Sequence, residues 1–194
     1  MTSTQDSKNF NFIRLAGVIR ESIVDGPGLR FTVFCQGCPH GCEGCHNPDT
    51  HDFNGGYDCE ISKITAAIDE NPLLDGVTFS GGEPMCQPEA FLNLAREIKK
   101  RNLNIVIYTG FTFEELQEKA KTNDAVRQLL QLTDLLIDGP FVQKQRDLTL
   151  LFRDRYEADL RRGKDLPCRK IFIRIIKNRL KQASLCGIMA CVRV

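Results

Sequence analysis

Four cysteines, Cys35, Cys38, Cys42 and Cys45, fall within eleven residues of the stretch CQGCPHGCEGCHNPDT. Thiolates grouped this tightly in a reduced chain are metal ligands before they are disulfides, and three chemistries compete for them. A structural zinc site would use all four, as Cys35-x2-Cys38 and Cys42-x2-Cys45. Such sites usually place roughly a dozen or more residues between their cysteine pairs, whereas here only Pro39, His40 and Gly41 intervene. A ferredoxin-like electron carrier would need Cys-x2-Cys-x2-Cys with a more distant fourth ligand, and the gap between Cys38 and Cys42 departs from that. The third chemistry takes Cys38, Cys42 and Cys45 alone, spaced Cys-x3-Cys-x2-Cys. Three thiolates on a 4Fe–4S cube leave one iron open to a substrate, as an open position distinguishes catalytic from structural zinc. Cys35, at the end of an apolar run, then serves as a small hydrophobe.

These residues need strands and turns to hold them. FIRLAGVI (12–19) reads as a short strand, and VDGPG (24–28) as a turn, because Asp-Gly-Pro-Gly combines left-handed and fixed-φ positions. RFTVFC (30–35) mixes β-branched and aromatic residues, a strand that runs straight into the cysteine loop. ISKITAAI (61–68) has helical spacing at 61, 64, 67 and 68. GVTFS (76–80) is a buried strand ending in SGGEP, and 88–101 is a helix with Phe91, Leu94, Ala95 and Ile98 on one face. NIVIYTG is a further strand, 113–121 and 125–132 are helices, and DLLIDG is a strand. Alternating strands and helices predict an α/β fold, a parallel sheet or barrel of βα units. In SGGEP (80–84) the paired glycines allow a ligand to approach bare backbone, though Gly-Gly-x-Pro is also ordinary turn chemistry.

Length suits one domain with a single core. The 26 basic and 25 acidic side chains nearly cancel, but unevenly. From Arg153 onward there are 12 Lys/Arg against 4 Asp/Glu, leaving 14 against 21 before it. The polar opening MTSTQDSKNF is not a signal peptide, and no apolar run is long enough for a bilayer, so the expected location is the cytoplasm.

The motifs carry a resemblance. The cysteine trio at the end of a first strand, followed one βα unit later by SGGEP, resembles the radical S-adenosylmethionine (SAM) superfamily. VDGPGLRFTVFCQGCPHGCEGCHNPDTHDFNGG resembles the activating enzymes of glycyl-radical proteins. Pyruvate formate-lyase activases carry an aromatic residue just before the third cysteine. Gly44 stands there instead, as in the branch that activates anaerobic ribonucleoside-triphosphate reductase, which YTGF (108–111) and LLIDGPFV (135–142) also resemble. The match runs from about Arg14 to Arg153. It implies a partial (incomplete) βα barrel whose active site lies at the strand C-termini. It implies a 4Fe–4S cluster on Cys38, Cys42 and Cys45, with SAM chelating the open iron. Gly44, Cys45, His46, Gly81, Gly82 and Glu83 would lie against SAM, the glycine motif at its amino end. An electron from an external one-electron reductant would cleave SAM to methionine and a 5′-deoxyadenosyl radical. That radical would take hydrogen from a glycine of the reductase's glycyl-radical subunit, the macromolecular partner; neither membrane nor nucleic acid is expected. His46 has a plainer reading as a surface histidine. Asp25 and Arg30 are candidates for a partner-facing rim, with a structural turn and a strand-edge charge as the alternatives. The runner-up is an activase of another glycyl-radical enzyme such as pyruvate formate-lyase, and a non-catalytic cluster or zinc protein is the competing class.

The expected organisation is a polar tail (1–11), a core domain (12–152) and an atypical basic extension (153–194), where the resemblance stops. RKIFIRIIKNRLK places Lys170, Arg174, Lys177 and Lys181 on one helical face and Ile171, Phe172, Ile175 and Ile176 on another. This reads as a terminal helix covering the barrel, with a basic docking helix or a tail from a shifted reading frame as alternatives. Cys59 and Cys86 are incidental, although Cys86 is near the glycine motif, and Cys168, Cys186 and Cys191 lack cluster spacing.

Overall fold

The strongly β-forming runs become strands that hold one another in register. The computed structural model describes residues 10–142 and, as backbone only, 174–175. Its strands are β1 (Phe12–Ser22), β2 (Arg30–Cys35), β3 (Tyr57–Glu60), β4 (Gly76–Gly81), β5 (Asn104–Tyr108), β6 (Leu135–Ile137) and β7 (Arg174–Ile175). They form one sheet in the order β3-β1-β2-β4-β5-β6-β7. The central four, β2, β4, β5 and β6, are mutually parallel. Helices α1 (Ile61–Asp69), α2 (Pro88–Lys100), α3 (Phe113–Thr122) and α4 (Asp124–Leu132) supply the connections between them. The outer strands β3 and β7 do not pair with each other, so the α/β sheet stays open, a partial barrel as expected.

Period-two alternation divides the parallel strands into two faces. Phe31, Val33, Val77, Phe79, Ile105 and Ile107 are buried in one core with Phe91, Leu94, Ala95 and Ile98 of α2. The Phe79 and Phe91 rings lie 4.7 Å apart and tilted, a pair worth about 0.5–1.5 kcal/mol beyond its buried area. The other face is polar at its lower end. Arg30 is fully buried there and donates to Thr78 Oγ1 (2.6 Å), Asn104 Oδ1 (2.7 Å), Val77 O (2.8 Å), Pro27 O (3.0 Å) and Asn104 O (3.3 Å). Desolvation lowers its pKa to about 10, opposed by Tyr108, Asp75, Asp134 and Asp25.

Three expectations change. Asp25 and Arg30 do not stand on a rim: they belong to the floor. The Asp-Gly-Pro-Gly turn tucks under the sheet, where Asp25 accepts from Ser22 Oγ (2.6 Å) and Thr32 Oγ1 (3.1 Å), and its carbonyl from Thr78 Oγ1 (2.7 Å). The reason is directional: this turn enters the N-terminal end of β2, opposite the cysteine loop. The helix expected across 170–181 is contradicted at Arg174–Ile175, which pair antiparallel with β6. A run rich in β-branched isoleucine favours strand once a free sheet edge is offered. Third, the first strand is longer than expected and antiparallel to β2, and β3 escapes the sequence reading because YDCE is only four residues long and half acidic, a weak strand signal. The 152/153 boundary, the remaining extension and Cys168, Cys186 and Cys191 lie outside the described residues. Among the described residues no helix is long and apolar enough to cross a membrane.

Candidate metal centre at the strand C-termini

Strand β2 ends at Cys35, which is fully buried in the hydrophobic core. Burial foremost, then the Glu83 carboxylate, pushes its thiol well above the ordinary range. The next three residues clamp the loop. Gln36 N donates to Arg14 O (2.9 Å), Gly37 N to Thr50 O (2.8 Å) and Cys38 N to His51 O (3.1 Å). The Gln36 side chain reaches across to Asp49 O (3.0 Å) and Asp52 O (2.7 Å). The outgoing and returning chain are thus stitched together, and residues 39–49 project as a loop with fixed ends.

Within that loop Cys38, Cys42 and Cys45 are half-buried free thiols, and Cys45 N donates to Cys42 O at 3.2 Å. Desolvation raises the Cys38 thiol. Gly44 takes φ +71, a left-handed conformation that strains any residue with a Cβ. Glycine at this position is therefore a backbone requirement of the loop.

The glycine turn rests on the base of the loop. Gly82 N donates to Cys35 O and Glu83 N to Gly37 O, both at 2.8 Å. A Cβ on Gly82 would sit 2.5 Å from Gly37 O, and one on Gly81, at φ +90, would sit 2.7 Å from Phe34 Cα. Glu83 points inward with no exposed surface. Its Oε1 accepts from Thr109 Oγ1 (2.8 Å) and Met85 N (2.9 Å), and its Oε2 from Gly110 N (2.8 Å) and His40 Nε2 (2.8 Å). With four protein donors on the carboxylate, what this turn offers a ligand is glycine backbone. At the far side of the mouth the exposed His46 ring lies 5.0 Å from Phe141, beyond β6.

Sequence reasoning passed over His40, Thr109, Gly110 and Gln36. Thr109 and Gly110 fall in the YTGF run that carries the resemblance, but each of the four acquires its role only when separate strand ends meet. His40 was visible only as a spacer between ligands.

The donor set fits a thiophilic group. Three half-buried thiols share one clamped loop beside bare glycine backbone, and the fourth thiol is sealed in the core. Their side chains do not converge on one point: among the described residues no three His, Cys, Asp or Glu form a closed metal-holding group.

A family profile described as "4Fe-4S single cluster domain" matches residues 24–160. The chain is 36% identical over 139 residues to the anaerobic ribonucleoside-triphosphate reductase-activating protein of Vibrio cholerae, covering 68% of this chain and 86% of the relative. The Escherichia coli protein of the same name is 33% identical over 144 residues, with the same coverage. The pyruvate formate-lyase-activating enzyme of Clostridium pasteurianum is 35% identical over 132 residues, 65% of this chain and 55% of that enzyme.

Proposed function

Because this chain belongs to the family of anaerobic ribonucleoside-triphosphate reductase-activating proteins and carries a 4Fe-4S single cluster domain, we propose that it installs a glycyl radical on such a reductase. Cys38, Cys42 and Cys45 are the residues that would hold the cluster, with Cys35 excluded by its burial. A reduced cluster held there would supply the electron that cleaves SAM to methionine and a 5′-deoxyadenosyl radical, and that radical would take hydrogen from a glycine Cα.

The chain's own residues do the positioning. Backbone bonds from Gly82 and Glu83 to Cys35 and Gly37 bring the glycine turn against the cysteine loop, which supports a role for Gly81 and Gly82 at the amino end of SAM. Gly44, Cys45 and His46 belong to the same loop, and His46 is exposed. Cys38 must lose its proton to ligate iron, and burial raises that cost; cluster assembly therefore improves as pH rises. The reaction is assigned to the cytoplasm, with an external one-electron reductant.

The juxtaposition of three ligand thiols and a glycine turn on shared backbone bonds carries this reading. Anaerobic reconstitution tests it. The expected product has one 4Fe–4S cluster per chain, cleaves SAM to 5′-deoxyadenosine on reduction, and yields a glycyl-radical signal in electron paramagnetic resonance with the reductase. Absence of a cluster, or a reduced cluster inert toward SAM, overturns it. A signal arising only with pyruvate formate-lyase would move the protein to the branch of the Clostridium relative, against Gly44.

A further inference from the structure

Period-two alternation turns the even-numbered residues of β2, β4 and β5 away from the helices, and this second face divides by depth. Its lower part is plugged. Thr32, Thr78 and Val106 are buried, because the Asp-Gly-Pro-Gly turn fills the space in front of them. Thr32 Oγ1 donates to Asp25 Oδ2 (3.1 Å) and Thr78 Oγ1 to Asp25 O (2.7 Å), and a Cβ on Gly26 would sit 3.4 Å from Val106 Cγ2. One step nearer the strand C-termini the face opens: Phe34, Ser80 and Tyr108 are all half-exposed. Phe34 stands opposite Ser80 in register, and Ser80 and Tyr108 each follow the Phe79–Ile107 pair by one residue. The row lies against the glycine turn, since a Cβ on Gly81 would meet Phe34 Cβ at 2.8 Å. Thr32 and Thr78 commit their hydroxyls to the plug, and Thr109 commits its own to Glu83 (2.8 Å). Ser80 Oγ makes no hydrogen bond among the described residues.

We propose that Phe34, Ser80 and Tyr108 form the floor on which the glycine-bearing segment of the reductase is presented, with the Ser80 hydroxyl holding its main chain. The inference deepens the functional reading above and rests on it. The plug stops a molecule that enters at the strand C-termini, so this row is the deepest surface of the sheet it reaches. A glycine offers no side chain to grip. What it offers is its N–H and C=O, and these need a partner once water is excluded. A serine hydroxyl both donates and accepts, and the aromatic residues on the two neighbouring strands exclude water around it. Bulk at position 80 would lift the segment away from the glycine turn, and a misplacement of about 1 Å costs on the order of a hundredfold in rate.

The test uses reconstituted full-length protein carrying Ser80→Ala, which removes only the hydroxyl, or Ser80→Val, which adds branched bulk that a strand accepts. Both variants should match wild type in thermal unfolding of the apo-protein, in iron content, in calorimetric SAM affinity and in 5′-deoxyadenosine formed without reductase. With the cognate reductase present, the glycyl radical formed per 5′-deoxyadenosine should fall about fivefold in Ser80→Ala, the loss of one hydrogen bond. In Ser80→Val it should fall about tenfold or more. If Ser80→Val unfolds early, Ser80→Ala decides the matter. Wild-type protein that cleaves no SAM, or forms no glycyl radical, overturns the functional reading and this inference with it. An unchanged ratio of radical to 5′-deoxyadenosine in the folded variants overturns this inference alone. So does a loss of SAM affinity and of reductase-free cleavage, which would assign the row to SAM instead of the partner.

Discussion

Cys35 and Cys38 are three positions apart in sequence, and the structure predicts opposite consequences for losing each. Cys35 is completely buried against the α2 side of the sheet. Its replacement by Ala removes one sulfur from a packed site, comparable to deleting a buried methylene, which costs about 1–2 kcal/mol including the void left behind. For a chain of this size that corresponds to a fall in Tm of roughly 2–4 °C per kcal/mol. Iron content after anaerobic reconstitution should stay at the wild-type level. Cys38 is half-buried at the start of the clamped loop, and its main-chain bond to His51 survives truncation. Apo Cys38→Ala should therefore unfold within about 0.5 kcal/mol of wild type, yet fail to hold a 4Fe–4S cluster. The assay pairs thermal unfolding of apo-protein with iron and sulfide analysis after reconstitution. A folded Cys35→Ala protein that loses metal as completely as Cys38→Ala would refute the three-ligand assignment and restore the four-thiolate zinc site.

Gly82→Ala should drive a methyl into Gly37 O and break the pair of 2.8 Å bonds joining the glycine turn to the loop base; a destabilisation of about 1–3 kcal/mol with weakened SAM binding is expected in calorimetry, and unchanged SAM affinity would count against the turn's role. Arg30→Met leaves Thr78, Asn104, Val77 and Pro27 acceptors without their buried donor, so urea unfolding should report a loss of roughly 3–5 kcal/mol; a loss below about 1 kcal/mol would place this network among weak surface contacts instead. Desolvation, then the neighbouring Glu83 carboxylate, pushes the Cys86 thiol up to about 11. Its alkylation by iodoacetamide in apo-protein should rise with pH around that value, and a midpoint at the ordinary thiol value near 8.5 would contradict the local field.

Much of the site was legible because its chemistry is local in sequence. The three cysteines proposed as ligands lie within eight consecutive residues, and the glycine pair directly ends a strand whose β-branched and aromatic run announces itself. The parallel strands read nearly as well: RFTVFC and GVTFS match the observed strands closely, and NIVIYTG overruns β5 by two residues. Asp25 and Arg30 were misplaced because proximity in sequence to the cysteine loop does not say which end of the sheet a residue occupies. Arg30 opens the six-residue strand whose far end is Cys35, and Asp25 bonds to Thr32 partway along it.

The sequence by itself determined which grouped thiols can bind a cluster and which backbone is bare enough for a ligand. These are properties of residue type and spacing within one segment. Only the tertiary structure decided that Cys35 is core, that Arg30 seals the floor, and that Glu83 faces His40, Thr109 and Gly110 instead of solvent. Each of those depends on hydrogen bonds between strand ends up to 74 residues apart. Such contacts exist only after parallel pairing has brought those ends together, and no short-range pattern encodes them.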